Sequence, residues 1–481
     1  MLLFPPLSLL LLWRSSQIRL RRKILGTIYI PAFSILYVAA ICAALYFWCG
    51  IDIVEWRGGY LPALTLSKTL PDYEKLELFR SSQLKNAPHQ NHQARNAGDY
   101  WKNFRGPNGD GHYDEKPILT KWPDAGLRQI WRQPIGGGYA SFSIAEGRAY
   151  TIEQRREQEV ATAYDVETGR ELWACAWSGK FEEIIGGEGP RATPTYDDGR
   201  LYPQGGLGEL RCLDAATGKL IWRHDIVTEN QSQVLTYGYS ASPLIVDEKI
   251  IVLPGGPNGK SIVAYHKISG ALIWKTQNDK QAYTTPVLAT LAGQPQILAV
   301  SAKRVIGIST AGNFLWSFPW TVQNENAIAQ PVLLNSNQLL LSAGYGTGCS
   351  AFEINQTNSI FSARLLWKNK YLKNKFTSSV FCDGYIYGLD EDILTCLDAK
   401  TGERKWKDGR FGYGQLILAS GHLVILSGTG ELALVKATPE KFEELARFQA
   451  IHGKTWNHPA ISDGKIFVRN AVEMACFDLN K

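Results

Sequence analysis

The residue types that do most enzymatic chemistry are present in this chain but are not spaced for it. The eight histidines form no His-x-x-x-His pair, and the eight cysteines include no Cys-x-x-Cys, no Cys-x-x-Cys-His and no adjacent pair. Zinc, thiol-redox and covalent haem chemistry therefore lack their ligand patterns. No Gly-x-Ser-x-Gly turn and no phosphate-cradling glycine loop occurs. Asn108-Gly-Asp-Gly-His-Tyr-Asp-Glu115 sets oxygen ligands at alternate positions, as a calcium loop does, but it lacks the distant bidentate Glu and reads as a turn leading into a strand. Cys212, Cys396 and Cys476 each precede an Asp by two residues, and Ala163 and Ala264 fill the same slot elsewhere, which marks a tight apolar position. For Cys349 and Cys382, a disulfide and two free thiols both remain open.

The groups left with binding chemistry are those that lead into strands at regular intervals. Arg191, Thr193, Tyr239, Ser240, Gln330, Lys375, Trp456 and Asn457 are expected around the mouth of a central channel. There Arg191, Lys375 and Trp456 would hold an anionic or planar ligand by charge and stacking. The alternative is that these polar groups satisfy one another and water around a wet channel.

What must position them is a repeat. Leu213-Asp-Ala-Ala-Thr-Gly-Lys-Leu-Ile-Trp222 is matched by Tyr164 to Trp173, Tyr265 to Trp274 and Leu397 to Trp406, and Ser309 to Trp316 is a shortened copy. The Asp accepts hydrogen bonds from turn amides, the Gly supplies positive φ, and the strand that follows aims an indole at a neighbouring sheet. Trp131, Trp173, Trp222, Trp274, Trp316, Trp367, Trp406 and Phe448 are the expected docking anchors, 39 to 52 residues apart. Such units suit four-stranded propeller blades. The last repeat, Met474 to Asp478, lacks its Trp strand, whereas Leu127 to Trp131 is such a strand without its repeat. Pairing the two predicts an all-β, eight-bladed β-propeller closed by an N-terminal strand. Phe448 in place of Trp, and a turn without Gly before Trp367, mark where blade contacts are expected to be loosest.

Ahead of the propeller, residues 24–48 carry no charge and would extend about 37 Å as a helix, enough to span a bilayer. The first 23 residues hold Arg14, Arg19, Arg21, Arg22, Lys23 and no acid, which accounts for most of the formal net charge of +6. The expected organisation is a basic cytoplasmic segment at 1–23, a transmembrane signal anchor at 24–48, an extracytoplasmic polar linker at 49–98 and the propeller at 99–481. The charge excess is thus a topology signal and implies no nucleic-acid partner.

The Asp-x-x-Thr-Gly-x-x-x-Trp repeat, in register from Asp214 to Trp222 and from Asp398 to Trp406, resembles the tryptophan-docking motif of the pyrroloquinoline-quinone (PQQ)-like propellers. That superfamily includes quinoprotein alcohol dehydrogenases and BamB-like envelope proteins. Trp101-Lys-Asn-Phe-Arg-Gly-Pro107, Gly189-Pro-Arg-Ala-Thr-Pro194 and Leu372-Lys-Asn-Lys-Phe376 are similar to a bacterial branch of PQQ-binding-like repeat proteins. The dehydrogenases use vicinal cysteines over PQQ, a Ca²⁺ held by Glu and Asn, and a catalytic Asp, and no matching set is found here. The resemblance therefore implies a membrane-tethered binding or scaffold propeller of the cell envelope, without catalytic residues or cofactor. It would sit at the bacterial inner membrane with its propeller periplasmic, and its partner would be an envelope protein or a small ligand. A PQQ- and calcium-dependent alcohol or sugar dehydrogenase is the alternative.

Overall fold

The computed structural model describes residues 12–49, 52–57, 61–65, 71–85 and 100–481. It divides into two compact units, residues 1–68 and 69–481. The first holds the helix Leu20–Cys49 and a hairpin of Asp52–Arg57 with Leu61–Thr65. The helix is apolar around its circumference, with Leu25, Ile28, Phe33, Ile35 and Leu36 all exposed. Two of its hydroxyls bond to the helix backbone: Thr27 Oγ1 donates to Lys23 O at 2.8 Å and Ser34 Oγ to Ile30 O at 2.6 Å. It is the one helix among the described residues long and apolar enough to cross a membrane.

The second unit is an eight-bladed β-propeller. Blade 1 runs from Ser143 to Ser178, blade 2 from Thr195 to Asp225, blade 3 from Leu244 to Thr276 and blade 4 from Val287 to Pro319. Blade 5 spans Val332 to Asn369, blade 6 Val380 to Arg410 and blade 7 Gln415 to Gln449. Blade 8 combines Ala460–Ser462, Lys465–Arg469 and Glu473–Asp478 with the early strand Gln129–Pro134, as the split repeat predicts. The junction restores the turn seen in intact blades: Asp478 N donates to Arg128 O at 2.9 Å, as Asp214 N does to Lys219 O at 2.8 Å.

The repeat works across blade boundaries. Trp173 Nε1 donates to Ala215 O of the next blade at 3.0 Å, and Trp131, Trp222, Trp367 and Trp406 make the same bond to Val166, Lys267, Ala399 and Thr438. Trp131, Trp173, Trp222 and Trp367 also cover the glycine of the next turn, whereas Trp406, whose next turn has none, meets Phe442. Gly218 has φ +72°, and a Cβ there would lie 2.5 Å from the Trp173 ring. Opposite each anchor, on the third strand, sits a small residue such as Cys212, Ala264, Ala351 or Cys396. Cys349 and Cys382 are free.

Two departures have physical causes. In blade 7 the anchor's register belongs to Ala446, which faces Leu434 before the bulge, and Phe448 lies two residues further on. Phe448 still docks, on Gly126 of the turn before the closing strand, with Trp122 edge-on at 5.8 Å. Blades 4 and 5 are not loose, contrary to the expectation from the irregular turn. The outer hairpin of blade 5 is ten residues on each side, Gly348–Thr357 and Ile360–Asn369, and its Phe352 stacks on Phe318 of blade 4 at 4.4 Å. Trp316 accordingly donates within its own blade, to Gln296 Oε1 at 2.6 Å.

The stretch read as a polar linker contains the helix Tyr73–Lys85, which docks across blades 8 and 1. Arg80 Nη2 donates to Pro134 O at 2.8 Å and to the Tyr164 hydroxyl at 3.2 Å. Beneath it, burial would raise the Glu153 carboxyl, but Arg155, Arg80 and Arg469 hold it below its usual range.

Candidate functional site

The first strands of the blades line the channel, and the residues just ahead of them form its mouth. Ser and Thr hydroxyls at these positions build a belt around it. Ser141 N donates to Thr193 Oγ1 at 2.9 Å, Thr193 N to Ser242 Oγ at 3.0 Å, Ser242 N to Thr285 Oγ1 at 2.9 Å and Gln330 N to Ser378 Oγ at 2.9 Å. Asn457 extends the belt with Nδ2 bonds to Gly138 O and Ala140 O, and Ser240 donates to Tyr283 O. These bonds join neighbouring blades where no sheet ladder can.

Above the belt, aromatic rings and cations converge. Trp456 stacks on Tyr139 at 5.5 Å and meets Phe376 at 4.8 Å and Tyr413 at 5.9 Å. Lys375 Nζ donates to the Tyr413 hydroxyl at 2.7 Å and lies 4.5 Å from that ring and 5.4 Å from Tyr345. Lys454 Nζ sits 4.3 Å over Trp456. Arg191 lies 4.4 Å from Phe181 and 5.4 Å from Tyr139, paired with Glu183 at 3.3 Å, and burial lowers its pKa. Lys375 and Trp456 thus share one cluster, which Arg191 joins through Tyr139. Thr193, Ser240, Gln330 and Asn457 lie in or beside the belt. Tyr239 turns into blade 3, where its hydroxyl donates to Pro254 O at 3.0 Å and burial pushes its pKa up to about 12.

A short hairpin, Glu182–Glu183 with Gly187–Glu188, crosses this cluster. Tyr139 Oη donates to Gly186 O and Lys454 Nζ to Ile185 O, so blades 1 and 8 both hold its tip. Ile184 at the tip is fully exposed.

From the opposite end the segment 100–113 closes the channel. Arg105, 1% exposed, donates to Ser378 O at 3.3 Å, Ser379 O at 2.9 Å and Asp110 O at 2.9 Å. Burial brings its pKa down to about 10. His458 meets Phe104 edge-on at 5.5 Å; its Nδ1 bonds Pro459 O at 2.7 Å, and its Nε2 lies 3.4 Å from Arg105 Nη1. A carbonyl only accepts, so Nδ1 carries the proton and Nε2 accepts from Arg105. His112 and Tyr113 then pair in parallel with the first strand of blade 7. Residues 108–111 turn into the strand His112–Tyr113, with His112 N on Asp110 Oδ1 at 3.0 Å.

Sequence reasoning missed Tyr139, Tyr413, Lys454, the hairpin and the Arg105 plug. Tyr139 follows three glycines at the same offset ahead of its strand as Arg191 does, which is the signal that was available. The assembled mouth offers ring faces and cations. Among the described residues no group of three or more His, Cys, Asp or Glu is placed to hold a metal ion.

Residues 156–408, just over half of the chain, match the family described as outer membrane protein assembly factor BamB. The BamB of Moranella endobia (strain PCIT) is 23% identical over 309 residues, covering 58% of this chain and 71% of that protein. Among solved structures, BamB from Moraxella catarrhalis superposes with a TM-score of 0.50 at 15% identity, covering 73% of this chain and 97% of that one. The quinohemoprotein alcohol dehydrogenase ADHIIG from Pseudomonas putida HK5 gives a TM-score of 0.55 at 11% identity, covering 79% and 80%. At these identities the structural likeness establishes the fold alone.

Proposed function

Because this chain belongs to the BamB family of PQQ-like propellers, we propose that it is a non-catalytic, membrane-tethered scaffold of the cell envelope that holds a protein partner or small ligand at its channel mouth. The observation that carries this reading is the content of the channel. Its mouth is filled by the chain's own Trp456, Phe376, Tyr413 and Tyr139, and Arg105 of the segment 100–113 fills the channel beneath the belt. A scaffold needs rigid blades and exposed loops, and closing both ends of the channel serves rigidity.

PQQ with calcium is the group the wider fold family would bring. Calcium asks for carboxylate and carbonyl oxygens, whereas the mouth presents Lys375, Lys454 and rings packed against one another. That donor set does not fit calcium, and no reaction step is routed through the quinone. Titrating the full-length protein with PQQ and Ca²⁺ while following thermal unfolding tests the choice. A ligand at a hundredfold excess over its Kd stabilises the native state by about 2.7 kcal/mol. The scaffold reading expects no such rise, and a calcium-dependent rise would return the dehydrogenase.

The tether belongs to the same proposal. The helix Leu20–Cys49 supports a single crossing through residues 24–48, and the five basic residues before it favour residues 1–23 in the cytoplasm. With residues 49–98 following, the propeller from residue 99 would lie in the periplasm against the inner membrane. Labelling of Cys42 and Cys175 by a membrane-impermeant thiol reagent in intact spheroplasts checks this. Cys175 is expected to react and Cys42 to stay protected by lipid; the reverse topology leaves Cys175 unlabelled.

A further inference from the structure

The eight outer strands share one register, so equivalent positions can be compared blade by blade. The residue facing the third strand just past the bulge is Leu220 in blade 2, Leu272 in blade 3, Phe314 in blade 4 and Leu365 in blade 5. In blades 6, 7, 8 and 1 the same position holds Arg404, Glu444, Gln129 and Glu171. The four apolar residues are 40%, 54%, 49% and 46% exposed. The slot is therefore apolar and exposed on four consecutive blades and polar on the other four, with Glu171 of blade 1 largely covered by Arg155 and Arg80. Ile221 and Ile273, next to two of these residues, are exposed as well.

Charge along the same strands is one-sided. The outer strands of blades 2 to 5 carry Arg223, Lys275, Arg364 and Lys368 against a single acid, Asp225, and Arg364 reaches Glu353 of its own blade at 2.8 Å. The outer strand of blade 4, Phe314–Pro319, has no charge at all. Outer strands are free edges, which soluble proteins ordinarily guard with charge, as blade 6 does with Arg404, Lys405, Lys407, Asp408 and Arg410. Blades 2 to 5 instead set exposed apolar side chains beside a few basic ones.

We infer that the outer rim of blades 2 to 5 is a lipid-contact surface that rests on an anionic bilayer. Leucine and phenylalanine side chains flanked by lysine and arginine are the composition that partitions into the headgroup region of acidic lipid. The same chain carries a helix fit to cross a membrane, which keeps a bilayer within reach. This inference rests on the membrane tether of the proposed function and makes no use of the channel mouth.

Hydroxyl-radical footprinting of the full-length protein tests it in three settings: detergent, phosphatidylcholine nanodiscs, and nanodiscs of phosphatidylcholine with phosphatidylglycerol. Oxidation of Leu272 and Phe314 is expected to fall by about threefold or more in the anionic discs and to recover in high salt. Leu445 on blade 7, also exposed, should keep one rate throughout. In a Leu272→Ser, Phe314→Ser variant with unchanged thermal unfolding, the protection of Leu220 and Leu365 should weaken. Equal rates in detergent and both kinds of disc overturn the inference. Protection in detergent that grows with protein concentration also overturns it, by assigning the rim to a second copy of the chain.

Discussion

The indole of Trp131 donates to the carbonyl of Val166 at 2.9 Å, joining the strand that closes the ring to the turn that ends the third strand of blade 1. The same bond recurs at four other blade boundaries, so it can be tested where the ring is sealed and where it is continuous.

Trp131→Phe removes the donor and part of the indole that covers Gly169, at an expected cost of about 1–3 kcal/mol. Gly218→Ala should cost more than about 1 kcal/mol, because it meets both a positive φ and the Trp173 ring. Denaturant midpoints of the two variants check the pair.

Arg105→Ala leaves the carbonyls of Ser378, Ser379 and Asp110 without their donor inside the channel. The expected loss is about 3 kcal/mol or more, read by thermal unfolding. Arg105→Lys should recover only part of it, because an ammonium cannot reproduce the guanidinium fork.

His458 supplies a pH dependence. Burial first, and then the Arg105 charge, lower its pKa from 6.5 to about 3. A base whose pKa falls on folding binds more protons when unfolded, so its contribution is complete above pH 6.5 and is lost as pH drops toward 3. Within that window the slope is at most about 1.4 kcal/mol per pH unit. His458→Gln, which keeps an acceptor for Arg105, should flatten the curve of unfolding free energy against pH by that amount.

Arg80→Ala should release the helix Tyr73–Lys85 while leaving the blades intact. Deuterium uptake in that helix is expected to rise, with no change in the strands of blades 3 to 6. Uptake that rises across every blade would mean the helix is part of the global fold.

Much of the fold was legible because the repeat is local. Asp214, Gly218 and Trp222 lie within nine residues, so their spacing alone predicts turn, strand and docking face. Closure was legible from two complementary gaps. What escaped depends on long-range partners or on a bulge. Nothing near Arg105 in sequence announces Ser378 and Ser379, 273 and 274 residues away. The offset between Ala446 and Phe448 arises from a bulge that residue counting cannot see. For the mouth, the ring of positions was readable from the repeat, but their partners were not. Tyr139 and Trp456 meet only once the circle is closed.

The split blade also sets an order of events in time. Arg132 and Glu473, bonded across the closing pair, are 341 residues apart. The early strand emerges from the ribosome long before its neighbour exists, and its hydrogen-bonding edge stays unsatisfied while seven blades are being made. The circle therefore cannot be sealed before Glu473–Asp478 has been made, and its closing pair carries one of the longest sequence separations in the fold.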